Sequence, residues 1–296
     1  VSEASKKSTS RRELARNENF ENISPEVGVL DEDAVDDLMQ NDPDEMLGML
    51  ADLVGATDPK LRELAKRLAG RLMLEVSHRG TQRNRGIGKM TGMPYSPEGG
   101  DVDIDASLDA LHEIRQRRSI DMSGVKVRGW TKPGTALCLL VDRSGSMGGK
   151  PLATSAVAAA AVANRNPKDY SVLAFSKDVI VVKSQDVLKP AENVVNDVLT
   201  LRGHGTTDLA GSLSVAQQQL QRSLAGRKVT ILLSDCRATI EGDAEAAARG
   251  LDELVVIAPR DDHDEAEAFA TQTGARLVLI SGPSEVPDAI RAALDD

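Results

Sequence analysis

The chain is 296 residues long, carries a formal net charge of -10 and has only 2% aromatic residues. That length suffices for one α/β domain plus a smaller attachment. The acidic balance counts against a general nucleic-acid binder, and the shortage of aromatics leaves no stacking platform for bases or sugars.

No apolar run approaches ~20 residues, so no membrane-spanning helix is expected. The opening stretch Val1-Ser-Glu-Ala-Ser-Lys-Lys has no apolar core of the secretory kind, and a cytoplasmic location is expected. Residues 1–25 are polar and without period, which predicts a disordered tail. Between Glu26 and Pro59 there are many acids and no Lys or Arg, while Leu47, Leu50, Ala51 and Val54 repeat at helical spacing. Asp58-Pro59 predicts an N-cap followed by proline at the first helical position. The helix after it carries Leu61, Leu64, Ala65, Leu68, Leu72 and Val76 on one face, with Arg62, Lys66, Arg67 and Arg71 elsewhere. Residues 26–79 therefore read as a helical hairpin with one acidic and one basic limb. It is either self-complementary or a charged docking surface, and it is expected to pack partly on the main domain, away from the Asp142 loop.

Residues 80–133 read as a glycine-rich linker and connecting segment. Gly86-Ile87-Gly88-Lys89 lacks the spacing of a phosphate-binding loop, so no ATP site of that type is expected. Arg83, Arg85 and Lys89 could meet phosphates, but no aromatics are interleaved with them, and nucleic acid is disfavoured as a partner. Asp101-Val-Asp103-Ile-Asp105 imitates a calcium loop but fails where Ala106 replaces the turn glycine and His112 the bidentate glutamate. Instead Asp105 or Ser107 is expected to cap a helix running to about Arg117, and Val125–Trp130 to form a short strand.

From residue 134 to 296 strand and helix patterns alternate. Strands are predicted at 136–141, 171–175, 179–182, 228–233, 254–258 and 277–280. Helices are predicted at 151–164, 191–199, 209–224, 262–272 and 284–294. The turn Ser176-Lys177-Asp178 is too short to join parallel strands. The sheet is thus expected to be mostly parallel, with one antiparallel strand at an edge and helices on both faces. Cys138 and Cys236 fall at strand positions and are expected to be buried free thiols.

The first strand stops at Asp142, and Asp142-Arg143-Ser144-Gly145-Ser146 follows. One carboxylate and two alternating hydroxyls at a strand's carboxyl end are hard oxygen donors, suited to a hard cation such as Mg²⁺. Together with Thr207 in Gly205-Thr-Thr-Asp208 and Asp235 in Leu232-Leu-Ser-Asp235, this pattern resembles the von Willebrand factor A (VWA) domain. The metal-ion-dependent adhesion site (MIDAS) of that domain uses D-x-S-x-S, then T, then D. The resemblance covers about Gly134–Ser281 and implies a Rossmann-like fold. It also implies a metal site of Asp142, Ser144, Ser146, Thr207 and Asp235 holding Mg²⁺, with Mn²⁺ or Ca²⁺ as other candidates. Asp208 reads as a helix cap and His204 as an ordinary loop residue.

With its helical N-terminal region and the Gly100–Asp105 stretch, the chain is similar to the bacterial CoxE-like and ViaA-like branch. That resemblance implies a binding protein, not an enzyme. Its partners would be a MoxR-type AAA+ ATPase and a client that offers an acidic side chain to the metal, and its work client maturation or metal or cofactor insertion. The alternatives are a magnesium-chelatase-D-like subunit and an adhesin-like module with no ATPase partner. A serine hydrolase using Ser146, with Asp235 and His263, ranks last: Ser144 stands where the nucleophile elbow needs glycine, and no oxyanion motif precedes it.

Overall fold

The computed structural model describes residues 9–17, 19–78, 89–94, 101–108, 125–131, 134–143, 149–203 and 205–295. Ser144, Ser146, His204, Arg83, Arg85 and His112 lie outside the described residues. The chain forms two compact units, Arg83–Gly134 and the remainder, Val1–Gln82 with Thr135–Asp296.

The smaller unit is an antiparallel sheet of β1 (Lys89–Pro94), β2 (Asp101–Val102) and β3 (Lys126–Thr131), in the order β1-β3-β2. The expected linker is therefore a small structured unit. Its first strand, Lys-Met-Thr-Gly-Met-Pro, was hidden by the glycine and proline that ordinarily weaken strands. Residues 104–108 are helical (α6). The Ala106 N–H donates to Asp103 Oδ1 at 3.2 Å, so Asp103, rather than Asp105 or Ser107, caps this turn. Ser107 instead tethers β3, accepting from Lys126 N–H at 2.8 Å and donating to the Lys126 carbonyl at 3.2 Å.

The larger unit is built on six strands: β4 (Thr135–Asp142), β5 (Tyr170–Phe175), β6 (Val179–Lys183), β7 (Arg227–Leu233), β8 (Glu253–Pro259) and β9 (Arg276–Ile280). Their order is β6-β5-β4-β7-β8-β9, and only the edge strand β6 runs antiparallel. This is the mostly parallel sheet that the alternation predicted, in the Rossmann-like form that the resemblance implied. The long apolar run of β4 is buried on both sides, which is what a central parallel strand requires. Leu137, Leu139 and Val141 feed one core, and Ala136, Cys138 and Leu140 the other. The helices of the first face are α7 (Gly149–Arg165), α8 (Ala191–Leu199) and α12 (Val286–Asp295), the last entered through a 3₁₀ turn at Pro283–Glu285. On the second face lie α9 (Leu209–Leu220), α10 (Ala244–Arg249) and α11 (Asp264–Thr273). Sequence periodicity missed α10, whose short Ala-Glu-Ala-Ala-Ala-Arg run has almost no apolar stripe. Among the described residues no helix is long and apolar enough to cross a membrane.

The N-terminal helices belong to this same unit. They are α1 (Arg11–Leu14), α2 (Phe20–Ile23), α3 (Glu32–Asn41), α4 (Pro43–Val54) and α5 (Pro59–His78). The disorder expected for residues 1–25 is corrected from Thr9 onward, because Leu14, Phe20 and Ile23 are buried in the main core. Three anchors spaced through charged sequence leave no periodic signal. The expected acidic limb is two helices, divided at Asp42-Pro43, where Asp42 Oδ1 accepts from Glu45 N–H at 3.0 Å.

A separate hairpin module is not what the chain builds. Helix α4 packs on α5 and α7, and α5 on α7 and α8. Accordingly α7 is buried nearly all round, with Leu152, Ala153 and Ala156–Ala163 between the sheet and α4–α5. Nor does the hairpin lie away from the Asp142 loop. Gly48 of α4 sits against Gly149 and Lys150, so closely that a Cβ there would stand 3.1 Å from Lys150 N. At the start of α4, Asp44 Oδ1 accepts from Ser284 N–H at 2.8 Å.

The cysteines among the described residues are free and buried, as expected, Cys138 within β4 and Cys236 in the turn after β7. Burial pushes the Cys138 thiol up to about 12, so it holds its proton across the whole working range. Iodoacetamide at pH 8 is expected to leave Cys138 unlabelled in the folded chain and to label it fully in urea. Labelling of native protein at the rate of a free thiol would contradict the burial.

Candidate metal centre

The site forms where β4 and β7 end. Their register pairs Val141 with Leu233, which places Asp142 beside Ser234 at the next step. Ser234 Oγ donates to Asp142 Oδ2 at 2.6 Å and accepts from Cys236 N–H at 2.9 Å. Asp235 Oδ1 accepts from Arg237 N–H at 3.0 Å, closing a tight turn. That turn forces Cys236 to φ 63°, a left-handed conformation that a non-glycine residue adopts at a cost. Burial pushes the Cys236 thiol up to about 12, and the charges of Asp235 and Asp142 add to the effect.

Thr207 comes from a third loop. It is only 1% exposed. Its N–H donates to Thr239 Oγ1 at 2.7 Å, and its carbonyl accepts from Thr239 N–H at 3.1 Å and Ile240 N–H at 3.2 Å. The next residue, Asp208, donates its N–H to the Ser176 carbonyl at 2.8 Å. Thr207 is thereby pinned between the end of β5 and the segment that follows β7. Asp208 caps α9 by accepting from Gly211 N–H at 2.8 Å, in line with its expected role.

Beside these groups a cleft of about 460 Å³ opens across the carboxyl ends of β4, β7, β8 and β9. Asp142, Ser234, Asp235 and Asp262 line it together with Lys150 and Ser281. The donors are carboxylate and hydroxyl oxygens, which suits a hard divalent cation. Among the described residues no three His, Cys, Asp or Glu side chains converge on one point. Of the five residues expected to form the site, Asp142 ends β4, Asp235 lies in the turn after β7 and Thr207 in the loop between α8 and α9, while Ser144 and Ser146 lie outside the described residues. His263 turns its Nδ1 to the Arg260 carbonyl at 2.7 Å, within its own loop.

Sequence reasoning passed over Ser234 as a partner of Asp142, although a hydroxyl ending the apolar run Val229–Leu233 was a visible signal. It also missed the surroundings of Arg143, which is 4% exposed and donates from Nη1 to the Arg202 carbonyl at 3.2 Å. No local pattern marks Asp52 of α4, whose Oδ1 accepts from Gly149 N–H at 2.7 Å.

A mostly parallel sheet covered on both faces, with acidic and hydroxyl groups gathered at its strand ends, defines a Rossmann-like α/β domain of the VWA kind. The sequence model of the family described as VWA domain containing CoxE-like protein matches residues 78–278, and the chain belongs to that family. Similar solved structures include a von Willebrand factor type A protein from Catenulispora acidiphila, with 17% identity over 57% of this chain and 43% of that one and a TM-score of 0.43. They also include proximal thread matrix protein 1 from the mussel byssus, with a zinc-occupied MIDAS motif (13% identity, TM-score 0.44, 54% of this chain and 47% of that one). A third is an aerotolerance-related membrane protein from Bacteroides fragilis NCTC 9343 (14% identity, TM-score 0.43, 54% of this chain and 98% of that one). The match spans less than half the length of the first two of these chains. No curated relative matches the sequence.

Proposed function

We propose that this chain is a metal-dependent protein-binding adaptor that serves a MoxR-type AAA+ ATPase in client maturation or in metal or cofactor insertion. Asp142 and Asp235 would neutralise Mg²⁺, directly or through water, while Ser144, Ser146 and Thr207 supply uncharged hydroxyl ligands. So few charged ligands leave the cation electrophilic, and a carboxylate from a partner completes its shell. Mn²⁺ and Ca²⁺ satisfy the same oxygen donors. The chain acts by binding, without turnover of its own.

The observation that carries this reading is the strand-end cluster: Asp142 oriented by Ser234, Asp235 on the next loop, and both lining one open cleft. The test is capture of partners from native lysate on the full-length tagged chain, with Mg²⁺, with EDTA, and with Mg²⁺ restored. An AAA+ ATPase is expected in the first and third eluates and not in the second. Recovery of the same proteins in all three would refute metal-dependent binding.

A further inference from the structure

The cleft at the strand ends has an apolar floor as well as acids. Pro151, Leu233, Pro259 and Ile280 line it. Its volume of about 460 Å³ suits a small ligand or a few side chains of a partner. Most polar groups on its walls are already engaged. Asp262 is bonded to Arg237, and Ser234 Oγ donates to Asp142. The hydroxyls of Thr154 and Ser155 turn back to carbonyls of α7, at 2.7 and 2.9 Å. Lys150 is the only Lys or Arg among the described residues that line the cleft. Its side chain is 51% exposed, and its ammonium makes a loose pair with Glu45 at 3.5 Å. With Asp142 and Asp235 carrying a cation, Lys150 is the charge left to read a ligand. The cleft then fits an apolar side chain that stands next to a carboxylate.

The smaller unit carries such a group on a turn built inside out. In α6 the polar Ser107 is buried, held by both of its bonds to Lys126. The apolar residues face outward instead. Ile104 is 63% exposed and Leu108 58%, and Val102 just before them is 42% exposed. Residues four apart on a helix stand one above the other, so Ile104 and Leu108 form one apolar ridge. Asp105 is exposed beside them. Adjoining bare apolar side chains rimmed by a charge are the mark of a surface that meets a partner.

Resting on the metal-binding reading above, we propose that the cleft of one copy of this chain receives the 102–108 segment of a second copy. The ridge of Ile104 and Leu108 covers the apolar floor, and the Asp105 carboxylate takes the Lys150 ammonium from Glu45. Glu45 keeps its bond from Asn17 Nδ2 at 2.6 Å, so giving up Lys150 does not strand it. The metal takes part through charge alone, because Asp142 and Asp235 left uncompensated would repel Asp105. Two different patches that meet in this way build a reciprocal pair or a head-to-tail ring, and either raises the mass above the monomer.

The experiment is sedimentation equilibrium of the full-length chain over a concentration series, in Mg²⁺ and in EDTA. Association is expected in Mg²⁺ and monomer in EDTA. Ile104→Ser is expected to raise the dissociation constant about 10-fold or more, since the burial of an apolar side chain is lost. Asp105→Lys and Lys150→Asp are each expected to weaken association about 10-fold or more, by setting like charges together. Mixed in equal amounts, these two charge variants should associate as the parent does, because every contact between unlike copies again pairs an acid with a lysine. Should either fail to fold, Asp105→Asn and Lys150→Gln are read in their place, as matching losses. A parent that stays monomeric in Mg²⁺, association that EDTA or Ile104→Ser leaves unchanged, or a mixture no better than its members would overturn the proposal. Mn²⁺ binding, followed by electron paramagnetic resonance, tests the underlying reading apart from assembly. If the parent binds Mn²⁺ more tightly than Asp142→Ala does and yet stays monomeric, only the self-association fails. If the two bind equally weakly, the metal reading fails and the docking falls with it.

Discussion

Deleting residues 1–78 is expected to leave a chain that does not fold cooperatively. Helix α7 is buried between the sheet and helices α4 and α5, and α8 shares the cover given by α5. Removing that cover bares the outer faces of both helices. At ~25 cal/mol per Å², each ~200 Å² of apolar surface uncovered costs about 5 kcal/mol, against a whole domain's net stability of roughly 5–15 kcal/mol. The shortened chain should precipitate, or bind a hydrophobic dye and lose the near-ultraviolet circular dichroism of a packed core. A sharp melting transition within a few degrees of the full-length protein would show that the N-terminal helices are an independent attachment after all.

Asp142→Ala is expected to do the reverse: to keep the fold and lose the site. Binding of Mn²⁺ or Mg²⁺, followed by calorimetry, should weaken by about 100-fold or more, beyond what outer partners of metal ligands give. Capture of the ATPase should fall to the EDTA level. The fold should tolerate the change because β4 is held by Ala136–Val141, each 0% exposed, and not by its terminal carboxylate. The local cost is the loss of the acceptor for Ser234 Oγ, about 1–2 kcal/mol, visible as a melting point a few degrees lower. A variant that melts normally and still binds metal as the parent does would remove Asp142 from the site.

The sheet was legible because its strands are short, predominantly apolar runs bounded by polar turns. Such runs suit strands covered on both faces, as β4 is, and the turn at Ser176–Asp178 dictates that β6 runs antiparallel. The positions of Asp142 and Asp235 just at or past the ends of β4 and β7 were legible because a strand's end fixes where its next residue projects, whereas Thr207 lies in a loop between two helices, α8 and α9. The N-terminal half was harder to read. Leu14, Phe20 and Ile23 are single anchors whose burial depends on helices far along the chain, so nothing near them announces it. One clue was present in α7. Its alanine-rich sequence has no polar face, and a helix apolar all round needs cover on two sides. The sheet supplies one side, and the amphipathic helices upstream were the available source of the other. The partnership of Asp52 with Gly149 joins residues 97 positions apart, and no periodicity encodes a contact of that kind.

The bond from Asp44 to Ser284 joins residues 240 positions apart, and it bears on how the chain is made. During synthesis α4 and α5 leave the ribosome well before α7, their main partner, and before Ser284, which α4 caps. At about 5–20 residues per second, that last contact waits roughly ten to fifty seconds. Until α7 emerges, the apolar faces of α4 and α5 lack their main cover, because contacts so distant along the chain close late. The nascent N-terminal segment is therefore where a shielding factor would act. A nascent chain that ends before α7 holds α4 and α5 without the helix that they chiefly pack on.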